Sequence, residues 1–225
     1  MSDPACGHPV MSDRRAKLFS PHAELQETPS AEQIMGMPAV EQFWTLREVR
    51  ALIDESPLAT PRYELVEGEL LVTPSPVSRH QMAVSRLLVA LIAYCDAERV
   101  GKALTSPCDV ELEEESLLQP DIFVVPPAEW RRLGGGLPVR ELSLAVEVLS
   151  PGSSRHDRVR KRPVYQRNVP EYWIVDLDAP LIERWRSEDE RPALVTMSLE
   201  WRPDGAASPF VLDVERYFNA VFDDR

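Results

Sequence analysis

Two acids near the middle of the chain are of the type and setting that can do chemistry. Asp121 follows Pro120 and opens a β-branched run, Ile122-Phe123-Val124-Val125. Glu147 lies inside the apolar run from Leu144 to Leu149. Both runs have the length and composition of short, buried strands. A carboxylate in such a strand is costly unless it is paired, protonated or bound to a metal. On neighbouring strands the two acids could hold one divalent cation, Mg²⁺ or Mn²⁺, through oxygen. The bland alternative is a strand-end Asp and a Glu salt-bridged to an arginine.

A basic run follows the Glu147 strand. Arg155, Arg158, Arg160, Lys161, Arg162 and Arg167 stand against Asp157 alone. Arg155, Arg158 and Arg160 could clamp flanking phosphates as bidentate donors. The chain has three lysines, Lys17, Lys102 and Lys161, amid abundant arginine. A lysine kept among arginines is suggestive, because a compact ammonium and a planar guanidinium do different jobs. The alternative is a solvated basic helix. Weaker candidates complete the set. Glu64, in a predicted hairpin, is either an extra metal ligand or a surface strand acid. His80, at the start of a long predicted helix, either donates to a phosphate near that helix N-terminus or is a polar first-turn residue. Tyr165, four residues after Lys161, packs against the site or into the core.

These residues need elements to position them. Thr45 and Glu48 have capping-box spacing, and Leu46, Val49, Leu52 and Ile53 share one helical face, so a short helix precedes Pro57 and Pro61. YELVEGELLVTPSP (63–76) alternates and predicts a hairpin turning at Glu67-Gly68. Ser78 is placed to cap a helix over 79–99, with Gly101 as its stop. Residues 103–113 read as a strand antiparallel to the Asp121 strand, and 126–140, with Gly134-Gly135-Gly136, as a flexible loop. A helix is expected over part of the basic run, with Pro163 limiting its register. EYWIVDLD (171–178), LIERWR (181–186) and ALVTMSLEW (193–201) read as a three-stranded meander, and Asp213 as the cap of a last helix. Residues 41–225 read as a single domain. Residues 1–40, rich in Pro, Ser and charge, read as a flexible extension in which His8 and His22 have no chemical role.

Composition sets bounds. A net charge of −12 excludes a surface that is basic throughout, so nucleic-acid contact would need a local basic strip aided by metal. Three cysteines, Cys6, Cys95 and Cys108, form no CxxC pair and point to free thiols in a reducing compartment, with the cytoplasm as default. No apolar run suits a membrane span and no signal-peptide core is visible. No GxSxG or HExxH motif supports a serine hydrolase or zinc protease.

The order helix, strand, strand with Asp, strand with Glu, basic helix, strand resembles the PD-(D/E)XK nuclease core. More closely, the chain resembles the Uma-two family, described as putative restriction endonucleases. The matching segments are YELVEGEL (63–70), PSPVSRHQ (74–81), QPDIFVV (119–125), AVEVLSP (145–151), RHDRVRK with Tyr165 (155–165), VPEYWIVD (169–176) and SPFVLDVERYF (208–218). They span roughly residues 45–218. The resemblance implies an α/β fold, a mixed sheet flanked by helices with the acids at one sheet edge. It also implies divalent-metal hydrolysis of phosphodiesters. In the superfamily pattern a lysine stands two residues after the Glu; here that position is Leu149, and Lys161 is the substitute, since the family's helix carries a lysine there. Two functions follow: a metal-dependent nuclease acting on DNA, for which a homodimer is an open arrangement, or a nuclease-fold module that binds nucleic acid or protein without catalysis.

Because residues 1–40 lack periodic apolar positions, deleting them should leave the melting temperature nearly unchanged. A loss of several degrees in a thermal melt would show that they pack on the domain.

Overall fold

The structure, a computed structural model, describes residues 43–56, 61–135, 137–150 and 154–223. The extension expected over 1–40, with His8 and His22, lies outside them, as do Pro57 and Gly136.

Local rules fix most element ends. In α1 (Leu46–Glu55) the Thr45 hydroxyl accepts from the Glu48 N–H at 3.3 Å, and the Glu48 carboxylate accepts from the Thr45 N–H at 3.0 Å. That is the expected capping box. Strands β1 (Arg62–Val66) and β2 (Glu69–Thr73) form the expected hairpin. Glu67 and Gly68 both have positive φ, 50° and 83°, as a tight two-residue turn that follows the strand twist requires. Helix α2 (Ser78–Glu98) buries His80, Ala83, Val84, Leu87, Leu91 and Cys95 along one stripe. Its ends differ from expectation. Val77 is the N-cap, Ser78 already lies inside the helix, and Arg99 takes the left-handed stop with φ 59°. Gly101 has another duty: a side chain there would collide with the carbonyl oxygen of Val125.

The central sheet has six strands: β3 (Lys102–Thr105), β4 (Ile122–Val125), β5 (Leu144–Val148), β6 (Glu171–Asp176), β7 (Leu181–Arg186) and β8 (Ala193–Val195). They lie in chain order, with β5 and β6 parallel and every other pair antiparallel. Helices cover it, which is the mixed α/β architecture anticipated from the sequence. One face packs Ile122, Val124, Val146 and Trp173 against α2 and the last helix. The other packs Phe123, Ala145, Tyr172 and Ile174 under Val66 and Leu71 of the hairpin and Val164 and Tyr165 of the basic segment. Strands β4 to β6 are thus covered on both sides, which is why they read as unbroken apolar runs.

Three expectations are corrected. The strand over 103–113 stops at Thr105, because Pro107 cannot donate to a ladder; Val110 then makes only isolated bridges to Leu118 and Val139. The loop over 126–140 contains α3 (Pro127–Arg132) and a 3₁₀ turn (Leu133–Gly135). Pro127 sits at the helix start, where its missing N–H costs nothing. Buried Glu129 pairs with Arg132 and accepts from the Arg140 N–H at 2.6 Å, which closes the segment. Residues 193–201 split into β8 and β9 (Ser198–Trp201), and β9 leaves the meander to pair with β10 (Phe210–Asp213).

The basic segment is helical but not uniform. A π turn over His156–Lys161 runs into α4 (Arg162–Asn168). The Arg162 N–H reaches back five residues to the Asp157 carbonyl. Pro163 follows at once, and its ring would strike the Val159 carbonyl in a tighter turn. Last, Asp213 caps α5 (Val214–Phe222) by accepting from the Arg216 N–H at 2.8 Å.

Gly101→Ala should cost about 2 kcal/mol or more, because the backbone there is both left-handed and closely approached. Gly134→Ala, with open space around its Cβ position, should change stability by less than about 1 kcal/mol. Urea unfolding of the two variants measures the contrast.

Candidate functional site

The register of β4 with β5 pairs Ile122 with Val146 and Phe123 with Ala145. One step further, Asp121 stands opposite Glu147, on the face shared by Phe123 and Ala145. Both acids therefore meet at one end of two interior strands. The hairpin covers this end. Arg62 and Glu64 share the face of β1 turned to the sheet with Val66, while Tyr63 and Leu65 pack on its other side against Val49 of α1 and Leu117. His80 arrives from the first turn of α2, and Lys161 and Tyr165 come from the basic segment.

Asp121 is fully engaged. Its Oδ1 accepts from Arg62 Nη1 at 2.9 Å. Its Oδ2 accepts from the Val148 N–H at 2.9 Å and contacts His80 Nε2 at 3.0 Å. Burial alone would raise its pKa, yet His80, Arg62 and the Val148 N–H hold it well below the usual carboxylate range. Glu64 binds the next turn of chain, its Oε1 accepting from the Gln119 N–H at 2.8 Å.

Lys161 is 1% exposed and touches three carboxylates: Glu64 at 2.8 Å, Glu147 at 3.1 Å and Asp157 at 3.2 Å. The contact with Glu147 is an aligned hydrogen bond, while those with Glu64 and Asp157 are ion pairs of poorer angle. Burial would lower its pKa, but these three acids hold it well above the ordinary lysine value. The Glu147 pKa is also raised, well above the ordinary carboxylate range: burial raises it and Lys161 only partly offsets that, with Asp157, Asp121 and Glu64 adding to the rise. Tyr165 donates to Glu147 at 3.0 Å and remains a phenol, its pKa raised by burial and by Glu147.

The buried group thus sets four carboxylates, Glu64, Asp121, Glu147 and Asp157, against Arg62 and Lys161. With all four ionised the group would carry a net negative charge, and the raised pKa of Glu147 is the response to it. Among the described residues no three Asp, Glu, His or Cys side chains converge at metal-ligand spacing. A hard cation such as Mg²⁺ needs fewer, because it keeps several waters and takes one or two carboxylates beside substrate phosphates. Two carboxylates on one sheet face with uncompensated negative charge fit that requirement.

The arginines behave differently from the lysine. Arg158 is held by Asp176 at 2.6 Å and Glu183 at 2.8 Å. Arg160 pairs with Glu69 at 2.8 Å and is half exposed. Arg155 is exposed. Neither Arg62 nor Asp157 stood out in the sequence. The signals were there: Arg62 is two residues from Glu64 on one strand, and Asp157 is four residues before Lys161 on one helix.

The sheet with paired acids at the ends of adjacent strands defines a restriction-endonuclease-like core. The chain belongs to the Uma2 family, the Uma-two family of the sequence resemblance: the family model, described as "Putative restriction endonuclease", matches residues 48–215. A similar solved structure is described as a putative nuclease belonging to DUF820 from Anabaena variabilis. It has a TM-score of 0.63 and 19% identity, and the match covers 79% of this chain and 99% of that one. At that identity the likeness bears on the fold. No curated protein matches. No helix among the described residues is long and apolar enough to cross a membrane.

Lys161→Met strips three buried carboxylates of their shared cation and should cost about 3–5 kcal/mol. Glu147→Gln keeps an acceptor and cannot ionise, so in EDTA it should be no less stable than wild type near neutral pH. The sign is fixed by linkage. Glu147 has a raised pKa, so the folded chain holds a proton that the unfolded chain has released. Wild type should therefore lose stability as pH climbs above the ordinary carboxylate range toward the raised value, and Glu147→Gln should not. The difference between the two urea-unfolding curves across pH isolates the effect; parallel curves would refute it.

Proposed function

We propose that the chain is a divalent-metal-dependent endonuclease hydrolysing phosphodiester bonds in DNA. The observation that carries this reading is the buried charge imbalance on the sheet face where Asp121 and Glu147 meet. Structural ion pairs have no need of a surplus of acids, whereas a cation and a phosphate together require one. Membership in a family described as restriction endonucleases points the same way.

Asp121 and Glu147 would hold Mg²⁺ or Mn²⁺, with Glu64 as an added acid behind Glu147. The bound ion would supply Lewis-acid polarisation of the phosphate and a more acidic water. Lys161 keeps its proton and offers a fixed positive charge for the oxygens that gain charge in the transition state. Tyr165 orients Glu147 through its hydroxyl. His80 steadies Asp121 and can donate to a phosphate at the start of α2. Arg155 and Arg160 are accessible to flanking phosphates; Arg158 would first have to leave Asp176 and Glu183. Cys95 and Cys108 are free thiols, which suits a cytoplasmic enzyme.

One observation favours a second reading. Every oxygen of Asp121 already has a partner, and Lys161 is closed off from solvent. A nuclease-fold module that binds nucleic acid or protein without catalysis would tolerate such closure.

The assay is cleavage of supercoiled plasmid and of single-stranded DNA with Mg²⁺, Mn²⁺ or EDTA. Cleavage should need the metal and vanish in Asp121→Asn. Lys161→Ala, assayed at a temperature where it stays folded, should cut the rate by about 10² or more while metal binding persists. Lys161→Arg should not restore full activity, since a planar guanidinium does not fit an ammonium site. Absence of cleavage by wild type with either metal favours the second reading.

A further inference from the structure

The proposed metal ligand Asp121 already has a cation on it. Arg62 Nη1 lies 2.9 Å from Asp121 Oδ1 and 3.2 Å from the Gln119 carbonyl oxygen. The side chain is 11% exposed, and its buried Nε has no partner. A guanidinium built in permanently would use its donor fork in full, commonly side-on to a carboxylate. Arg62 instead meets the carboxylate end-on, sharing Nη1 between Asp121 Oδ1 and the Gln119 carbonyl, and leaves its buried Nε donor unused, at the cost of an unsatisfied polar group. The positive charge also lies within the field of Glu147 and Glu64. It stands on the acids that a divalent ion would neutralise.

We infer that Arg62 is a displaceable countercation: in the metal-free chain it holds Asp121, and a divalent ion must exchange with it. The inference rests on the nuclease reading, because that reading assigns the metal to Asp121. A guanidinium on Oδ1 repels an incoming divalent ion and occupies the oxygen it would take, so loading requires the guanidinium to swing away from Oδ1. His80 and the Val148 N–H both hold Oδ2, so Asp121 keeps its position during the exchange. Arg62 starts strand β1 just after residues 57–60 and is the member of the cluster nearest that end of the hairpin. Its consequence is a lower apparent metal affinity, reduced by the fraction of molecules in which Asp121 is released. Arg62 is thus a positioning residue that sets the metal concentration at which the site fills.

The test is Mn²⁺ binding to the full chain by titration calorimetry, with no nucleic acid present. Arg62→Met should bind Mn²⁺ about tenfold more tightly than wild type, with Arg62→Lys in between. Equal or weaker binding by a folded Arg62→Met would overturn the inference, since an arginine that merely braces Asp121 predicts a poorer site. Should Arg62→Met not fold, wild type supplies the answer. Phenylglyoxal labelling mapped by mass spectrometry should modify Arg62 several-fold faster with Mn²⁺ than with EDTA, relative to exposed Arg140. An unchanged rate overturns the inference. Failure of the underlying reading looks different: wild type then binds no Mn²⁺ at all.

Discussion

An ammonium buried among three carboxylates is the interaction on which this site depends. Lys161 ties the hairpin through Glu64, the sheet through Glu147 and its own helical segment through Asp157. Three separate elements are thereby referred to one atom. Desolvating that many charges is expensive, and Coulomb attraction repays it only where the geometry is good and the remaining hydrogen-bonding capacity is filled. Much of it is filled: Tyr165 donates to Glu147, and the Gln119 N–H donates to Glu64. The position of the hairpin over the sheet is therefore as much an electrostatic matter as an apolar one.

The π turn belongs to the same constraint. Asp157 and Lys161 must both turn inward from a segment whose other cations face solvent or distant acids. Widening the turn between them, immediately before Pro163, buries both while Arg155 and Arg160 stay outside. Arg158 and Arg162 pin the segment from the flank. The first binds Asp176 and Glu183 at β6 and β7, and the second lies over the Trp185 ring at 4.6 Å. A run that reads as uniformly basic thus divides into cations that anchor, one that is enclosed and two that stay accessible.

How far the sequence reveals this varies by residue. Asp121 and Glu147 were visible because a charge inside a two-sided apolar strand breaks a pattern that burial enforces. The hairpin turn, the box at Thr45 and the cap at Asp213 were visible because they obey rules local to a few residues. Arg62 was not, because an arginine opening an alternating strand looks like ordinary surface, and only the contact with Asp121, far along the chain, turns it inward. The ion pairs of Arg158 were hidden for the same reason: its partners Asp176 and Glu183 lie on strands whose proximity follows only from sheet order. Helix α3 was hidden by prolines and glycines that usually mark loops, and its closure relies on Glu129 reaching the Arg140 N–H.

The lysine's route to the site follows from the packing of β5. A lysine two residues after Glu147 would share its face, by the period of a strand. Leu149 holds that place and is buried in the core formed with Val164, Tyr165 and Tyr172. An ammonium there would have to displace the apolar contact that seats the basic helix. Supplying the charge from that helix resolves the conflict: Leu149 attracts the helix to the sheet, and the helix brings Lys161 to Glu147. The strand keeps its core residue, and the cation's placement becomes a property of how the helix docks. Contacts remote from the acids, such as Arg158 with Asp176, then act on the distance between Lys161 and Glu147, which a lysine on the strand itself would have fixed locally.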